Sequence, residues 1–224
     1  MDELFAERKE GRFDVYDNIS ERAYNGVLVG VILYGLLANF LICAFGTEFA
    51  LSINPIALII GYFVLCFAGT MISAKSQNPI ISFIGYNMVV LPIGLVVAVA
   101  VAAYGGVSAS IVREAVYYTF LIVAIMFLAS MAYPDFFAKL GRVLFGCLLG
   151  IIVVEIVLLL LGVSQTITSI IAAAVFSFYI GFDFWRAQQY PKTLDNAVDC
   201  ALDIYLDIIN LFLRILRILS RSRD

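Results

Sequence analysis

The chain has 224 residues, 63% hydrophobic and only 14% charged, with a formal net charge of −3 and a mean hydropathy of +1.01. A soluble domain is roughly half apolar and a quarter charged, so this composition is that of a membrane protein. Histidine is absent, which excludes Ser-His-Asp and Cys-His catalysis and the HExxH zinc proteases. No basic patch with interleaved aromatics exists, so no nucleic acid is expected as a partner.

In chain order, residues 1–22 are polar and charged and read as an amino-terminal cytoplasmic arm. Residues 23–224 then form one transmembrane domain. Apolar runs long enough to span follow at about Tyr24–Phe45, Phe49–Ile72, Pro79–Tyr104, Ala115–Tyr133 and Val143–Val163, given the roughly 20 residues that a crossing needs. A shorter sixth run, Thr166–Phe182, can extend through Phe184 and Trp185. The seventh covers about Val198–Leu219. Ser76-Gln77-Asn78-Pro79, Gly105-Gly106, Pro134-Asp135 and Gly162 mark the connections. Pro55 and Pro92 fall inside the expected spans as potential kinks. The expectation is an all-α membrane protein, a seven-transmembrane-helix bundle.

Cys43, Cys66, Cys147 and Cys200 stand singly in or beside apolar runs and read as small buried hydrophobes. Lys and Arg counts set the orientation. Nine basic residues fall in the arm and the even-numbered loops, against one in the odd-numbered loops and four in the carboxyl tail. The amino terminus is therefore expected in the cytoplasm. The four tail arginines oppose an external tail, so the last helix is either spanning or re-entrant. The short arm and the lack of organelle signals favour a bacterial inner membrane, with the endoplasmic reticulum as the alternative.

The last run carries the most information. Its polar residues are Asp199, Asp203, Asp207, Asn210, Arg214, Arg217 and Arg221. The three- and four-residue steps between them keep all seven within an arc of roughly 80° on one helical face. Apolar residues fill the remainder. A carboxylate inside a membrane is costly and marks a functional site by default, so Asp207 and its neighbour Asp203, one turn away, head the list of site residues. Like charges this close cannot both ionise cheaply, so one of them is expected to hold a proton near neutral pH. Asp199, near the helix start, reads as a capping or solvated acid. Asp183 ends the sixth run. Glu155 lies alone in Leu148–Leu161, either as a proton or ion ligand or as a protonated, hydrogen-bonded side chain. Lys75 ends the second run, as a counter-ion or as a snorkelling lysine.

Tyr179-Ile180-Gly181-Phe182-Asp183, a short polar loop, and then Ala201-Leu202-Asp203-Ile204-Tyr205-Leu206-Asp207-Ile208-Ile209-Asn210-Leu211-Phe212 resemble the Bax inhibitor-1 (transmembrane BAX inhibitor motif) family. The resemblance is sequence-specific from about Ala172 onward. It implies seven helices with a central C-terminal helix, calcium leak across the membrane and, in animals and plants, suppression of cell death. It also implies a pH-sensing aspartate pair, which falls here on Asp183 and Asp207. These two would also be the calcium ligands, with Asn210 and Glu155 accessory. In bacterial relatives an arginine near the end of the second helix latches one aspartate. No arginine stands there in this chain, and Lys75 is the nearest base. Asp203 departs from the family pattern by adding a carboxylate.

The resulting expectation is a pH-modulated calcium leak channel gated by the aspartate pair. The alternative is a non-conducting regulatory scaffold that binds other membrane proteins. An intramembrane aspartyl protease would need Gly-x-Gly-Asp, whereas Asp183 follows Tyr-Ile-Gly-Phe, so no enzyme is expected. Nor is a cofactor. Lipid, calcium ions and membrane proteins are the expected partners.

Overall fold

The computed structural model describes residues 18–163 and 165–222. Most of the expected arm, residues 1–17, therefore lies outside the described residues, while its last two, Glu21 and Arg22, already belong to a helix. The described chain is helical: α1 Glu21–Phe45, α2 Thr47–Ser52, α3 Pro55–Lys75, α4 Pro79–Ala103, α5 Ser110–Ala132, α6 Pro134–Ala138, α7 Gly141–Leu160, α8 Thr166–Ala187 and α9 Leu194–Arg221. Six of these, α1, α3, α4, α5, α7 and α8, are long and apolar enough to cross a membrane. α9 is the longest, at 28 residues, but it is too charged to be counted with them.

Local chemistry explains the boundaries. Ser20 caps α1 by accepting from the Ala23 N–H. The second span starts later than hydropathy suggests. Asn54 accepts from the N–H groups of Ile56 and Ala57, and Pro55 is the first helical residue of α3, where its missing N–H and fixed φ cost nothing. Pro55 therefore starts a helix and does not kink one, and Thr47–Ser52 is split off as α2. Pro92 lies inside α4. α7 ends in a Schellman motif: the Gly162 N–H donates to the Leu159 carbonyl and the Val163 N–H to Leu158. Gly162 has a φ of +67°, a conformation that glycine adopts without strain.

The chain divides into two compact units, Met1–Val96 with Arg186–Asp203, and Val97–Trp185 with Ile204–Asp224. In the first, α3 and α4 cross at glycine. A Cβ on Gly69 would sit 2.6 Å from the Gly85 carbonyl oxygen, and one on Gly85 would sit 2.6 Å from that of Gly69, so only glycine permits this approach. The Tyr86 hydroxyl donates to the Val31 carbonyl at 2.8 Å and Tyr34 to Asn87 Oδ1 at 2.6 Å, tying α1 to α4. In the second unit, Phe127 meets Phe184 edge-on at 4.9 Å, tying α5 to α8. There too, Arg217 in the last turns of α9 donates to Gln165, just ahead of α8, at 3.1 Å. α9 thus runs back along α8 to the level of α8's first turn.

Candidate functional site

α9 owes its content to its two-sided sequence. Ile204, Tyr205, Leu211 and Leu216 are fully enclosed, and the polar stripe passes from burial to exposure along its length. Asp199 and Asp207 are buried, Asp203, Asn210 and Arg214 are half-buried, and Arg217 and Arg221 are exposed. Acids at the amino-terminal end and arginines at the carboxyl-terminal end also match the helix macrodipole.

In the second unit Asp183, near the end of α8, and Asp207, on α9, are 5% and 8% exposed. Both engage in hydrogen-bonding or electrostatic contacts. Asn210 spends its amide on its own helix, donating from Nδ2 to the Leu206 carbonyl at 2.9 Å. Glu155 follows neither of its two sequence readings: it forms an ion pair. Arg214 grips it with both guanidinium nitrogens, Nη1 to Oε1 and Nη2 to Oε2, the latter at 2.8 Å. This bidentate geometry is the strongest that an arginine and a carboxylate can adopt. Gln165 Nε2 adds a bond to the Glu155 backbone carbonyl at 3.1 Å.

The first unit holds acids that sequence reasoning undervalued. Asp199 is 3% exposed and accepts from the Ser73 hydroxyl, so it is a buried, hydrogen-bonded carboxylate and not the solvated cap expected. Asp195, 5% exposed, accepts from the Ser82 hydroxyl at 2.6 Å. α3 and α4 contribute one serine each, and Ser82 lies 3.5 Å from the Ser73 carbonyl. Asp203 pairs with Arg186 at 2.8 Å, so a guanidinium compensates its charge. Lys75, read as a counter-ion or as a snorkelling lysine, is exposed at the end of α3 and forms no ion pair with a described residue. Beside these acids, the Tyr24 hydroxyl donates to the Ala187 carbonyl at 2.9 Å, and Lys192 Nζ lies 4.6 Å from the Tyr24 ring centre. Burial pulls the Lys192 ammonium below the usual lysine range, and Glu21 acts in the opposite direction. Among the described residues, no group of three or more Cys, Asp or Glu side chains could hold a metal ion.

The features place the protein among multi-pass integral membrane proteins: six helices built to meet lipid and a polar helix largely enclosed by protein. Residues 17–224 match the family model described as inhibitor of apoptosis-promoting Bax1, and the chain belongs to the Bax inhibitor-1 family. It is similar to an uncharacterized protein of Helicobacter pylori, 30% identical over 146 residues that cover 64% of this chain and 59% of that protein. An uncharacterized membrane protein of Streptococcus pyogenes is 31% identical over 91 residues, 37% of this chain and 40% of the relative. Protein LIFEGUARD 1 of Arabidopsis thaliana is 43% identical over 89 residues, 38% of this chain and 37% of the plant protein. The chain thus matches about three-fifths of the Helicobacter protein's length and smaller shares of the others.

Proposed function

We propose that the protein is a pH-modulated calcium leak channel of the inner membrane of a bacterium. In this reading α9 is the seventh and central span, and the pair Asp183 and Asp207 gates the path. The observation that carries the reading is the burial of these two acids on α8 and α9, the residues on which the resemblance to the family puts its aspartate pair. Buried carboxylates in a lipid-embedded chain are functional-site residues by default, and their oxygens are the ligands that a hard cation such as calcium takes. In this reading they are the pH-responsive groups of a chain that has no histidine.

The seventh crossing is supported by the contact of Arg217 with Gln165. α8, at 22 residues, is about 33 Å long, and α9 returns along it. Arg214 is neutralised by Glu155, so it does not count as a charge of the tail, and this eases the conflict with the positive-inside rule. In this reading Asn210 lies one turn beyond Asp207 on α9, while Asp203 is held by Arg186. The site moves ions and protons and carries out no covalent chemistry. Protonation of the pair removes one negative charge, weakens whatever cationic contact favours the closed packing, and shifts the helices toward the open arrangement.

Calcium flux into vesicles reconstituted with the purified protein, followed against pH, tests this. Flux should rise at mildly acidic pH. Asp207→Asn and Asp183→Asn should each flatten that dependence, because the amide keeps the shape and fixes the charge. A protein that folds and inserts but passes no calcium at any pH would replace this reading with the non-conducting scaffold. A pH response identical in wild type and both variants would remove the pair as the sensor.

A further inference from the structure

At the end of the second unit where the α7–α8 turn meets the last turns of α9, a cavity of about 570 Å³ is lined by Tyr104, Gln165, Thr166, Arg217 and Arg221, with Leu159, Gly162 and Val163 along one wall. Its charge is one-sided. Among the described residues, no acidic side chain lines it. The nearest arginine on the same stripe, Arg214, is already neutralised by Glu155, whereas the partner of Arg217 in the cavity is the neutral amide oxygen of Gln165. Arg217 and Arg221 are one turn apart on α9, so their guanidinium groups point to the same side. Across from them stand a phenol, a threonine hydroxyl and the positive end of the α8 macrodipole.

We propose that this cavity binds a phosphate group. Two arginines offer the planar donor forks that suit phosphate oxygens, hydroxyl donors complete the shell, and the apolar wall of Leu159 and Val163 suits an attached acyl or glycerol chain. The phosphate can come from an anionic lipid headgroup or from a free phosphate in solution. The site is independent of the aspartate pair and needs no assumption about calcium.

The test uses the full chain in a neutral detergent. Binding of dihexanoyl phosphatidic acid and, separately, of inorganic phosphate is followed by titration calorimetry, with dihexanoyl phosphatidylcholine as the zwitterionic comparison. Arg217→Gln/Arg221→Gln should weaken phosphatidic acid binding by about tenfold or more. Arg142→Gln, which removes an exposed arginine on α7, should leave it unchanged. Arg217→Lys/Arg221→Lys keeps the charge without the forks and should bind between wild type and the glutamine variant. Lipid binding with no response to inorganic phosphate identifies a headgroup site, and the reverse identifies a soluble anion. Equal binding by wild type and the glutamine variant, or equal loss in Arg142→Gln, would overturn the proposal and leave the arginines as ordinary surface charge.

Discussion

α7 and α9 invert the rule that holds for soluble proteins. α7, GRVLFGCLLGIIVVEIVLLL, is apolar in nearly every position, yet among its residues only Leu144 and Ile151 are buried. α9 carries a polar stripe down its whole length and has most of its residues enclosed. In water the apolar helix would be the core and the striped one the surface. In lipid the solvent is itself apolar, so hydrophobic surface gains nothing by hiding, and polar groups are the ones driven into protein. The two helices meet at the exception to each. Glu155 is the one acidic side chain of α7, and it is claimed by Arg214 of α9.

That pair offers the largest expected effect. Arg214→Leu strands the Glu155 carboxylate in an apolar helix, and for this half-buried pair, held between protein and lipid, the loss should approach the roughly 3–5 kcal/mol that breaking a buried pair from one side costs. Thermal unfolding of the detergent-solubilised protein should show it as a large loss. Glu155→Leu/Arg214→Leu should recover most of that loss, because no charge remains to be compensated. A double variant as unstable as the single one would mean that α7 and α9 are joined by something other than this ion pair.

The buried acids of the first unit sharpen the contrast, since hydroxyl groups and not guanidinium groups satisfy them. Ser73→Ala removes the Ser73 hydroxyl that Asp199 accepts from and should cost about 1–3 kcal/mol by the same measurement. Ser73→Thr, which keeps the hydroxyl, should cost less. No change in Ser73→Ala would assign the stability of Asp199 to its other contacts.

What the sequence made legible follows from the same physics. Lipid demands long apolar runs, so six spans could be read from hydropathy alone, and the stripe of α9 stood out because nothing else in the chain repeats polar residues at helical spacing. Boundaries set by single side chains were harder. Phe49–Ile72 read as one run, because the Asn54–Pro55 helix start interrupts hydropathy for only two positions. Partners distant in sequence were harder still. Glu155 and Arg214 are 59 residues apart, and the choice between a lone acid and a paired one depends on which way two helices face. Ser73 and Ser82 stand 126 and 113 residues before their acids, and no local pattern joins them, so the position of Asp199 near the helix start was all that the sequence offered. The stripe alone singled out Asp207, while the resemblance tied Asp183 to it; both acids are buried.

The smallest effect is the one that tests the inversion most directly. Val153 lies on α7 and is 60% exposed, facing what is lipid in the membrane. Truncating a buried valine in a protein core leaves a cavity and loses contacts. Truncating this one leaves a space that acyl chains fill, so the folded and unfolded helices, both in apolar solvent, lose about the same. Val153→Ala should therefore shift stability by no more than about 0.5 kcal/mol, the range of ordinary surface changes. Unfolding in bilayer nanodiscs is the fitting measurement, since lipid must be present to fill the gap. A loss of about 2 kcal/mol or more, in the range of buried large-to-small changes, would show that α7 packs against protein at this position. In that case its apolar face would be an interface with another membrane protein or a second copy of the chain, and the contrast between α7 and α9 would be one of partners and not of solvent.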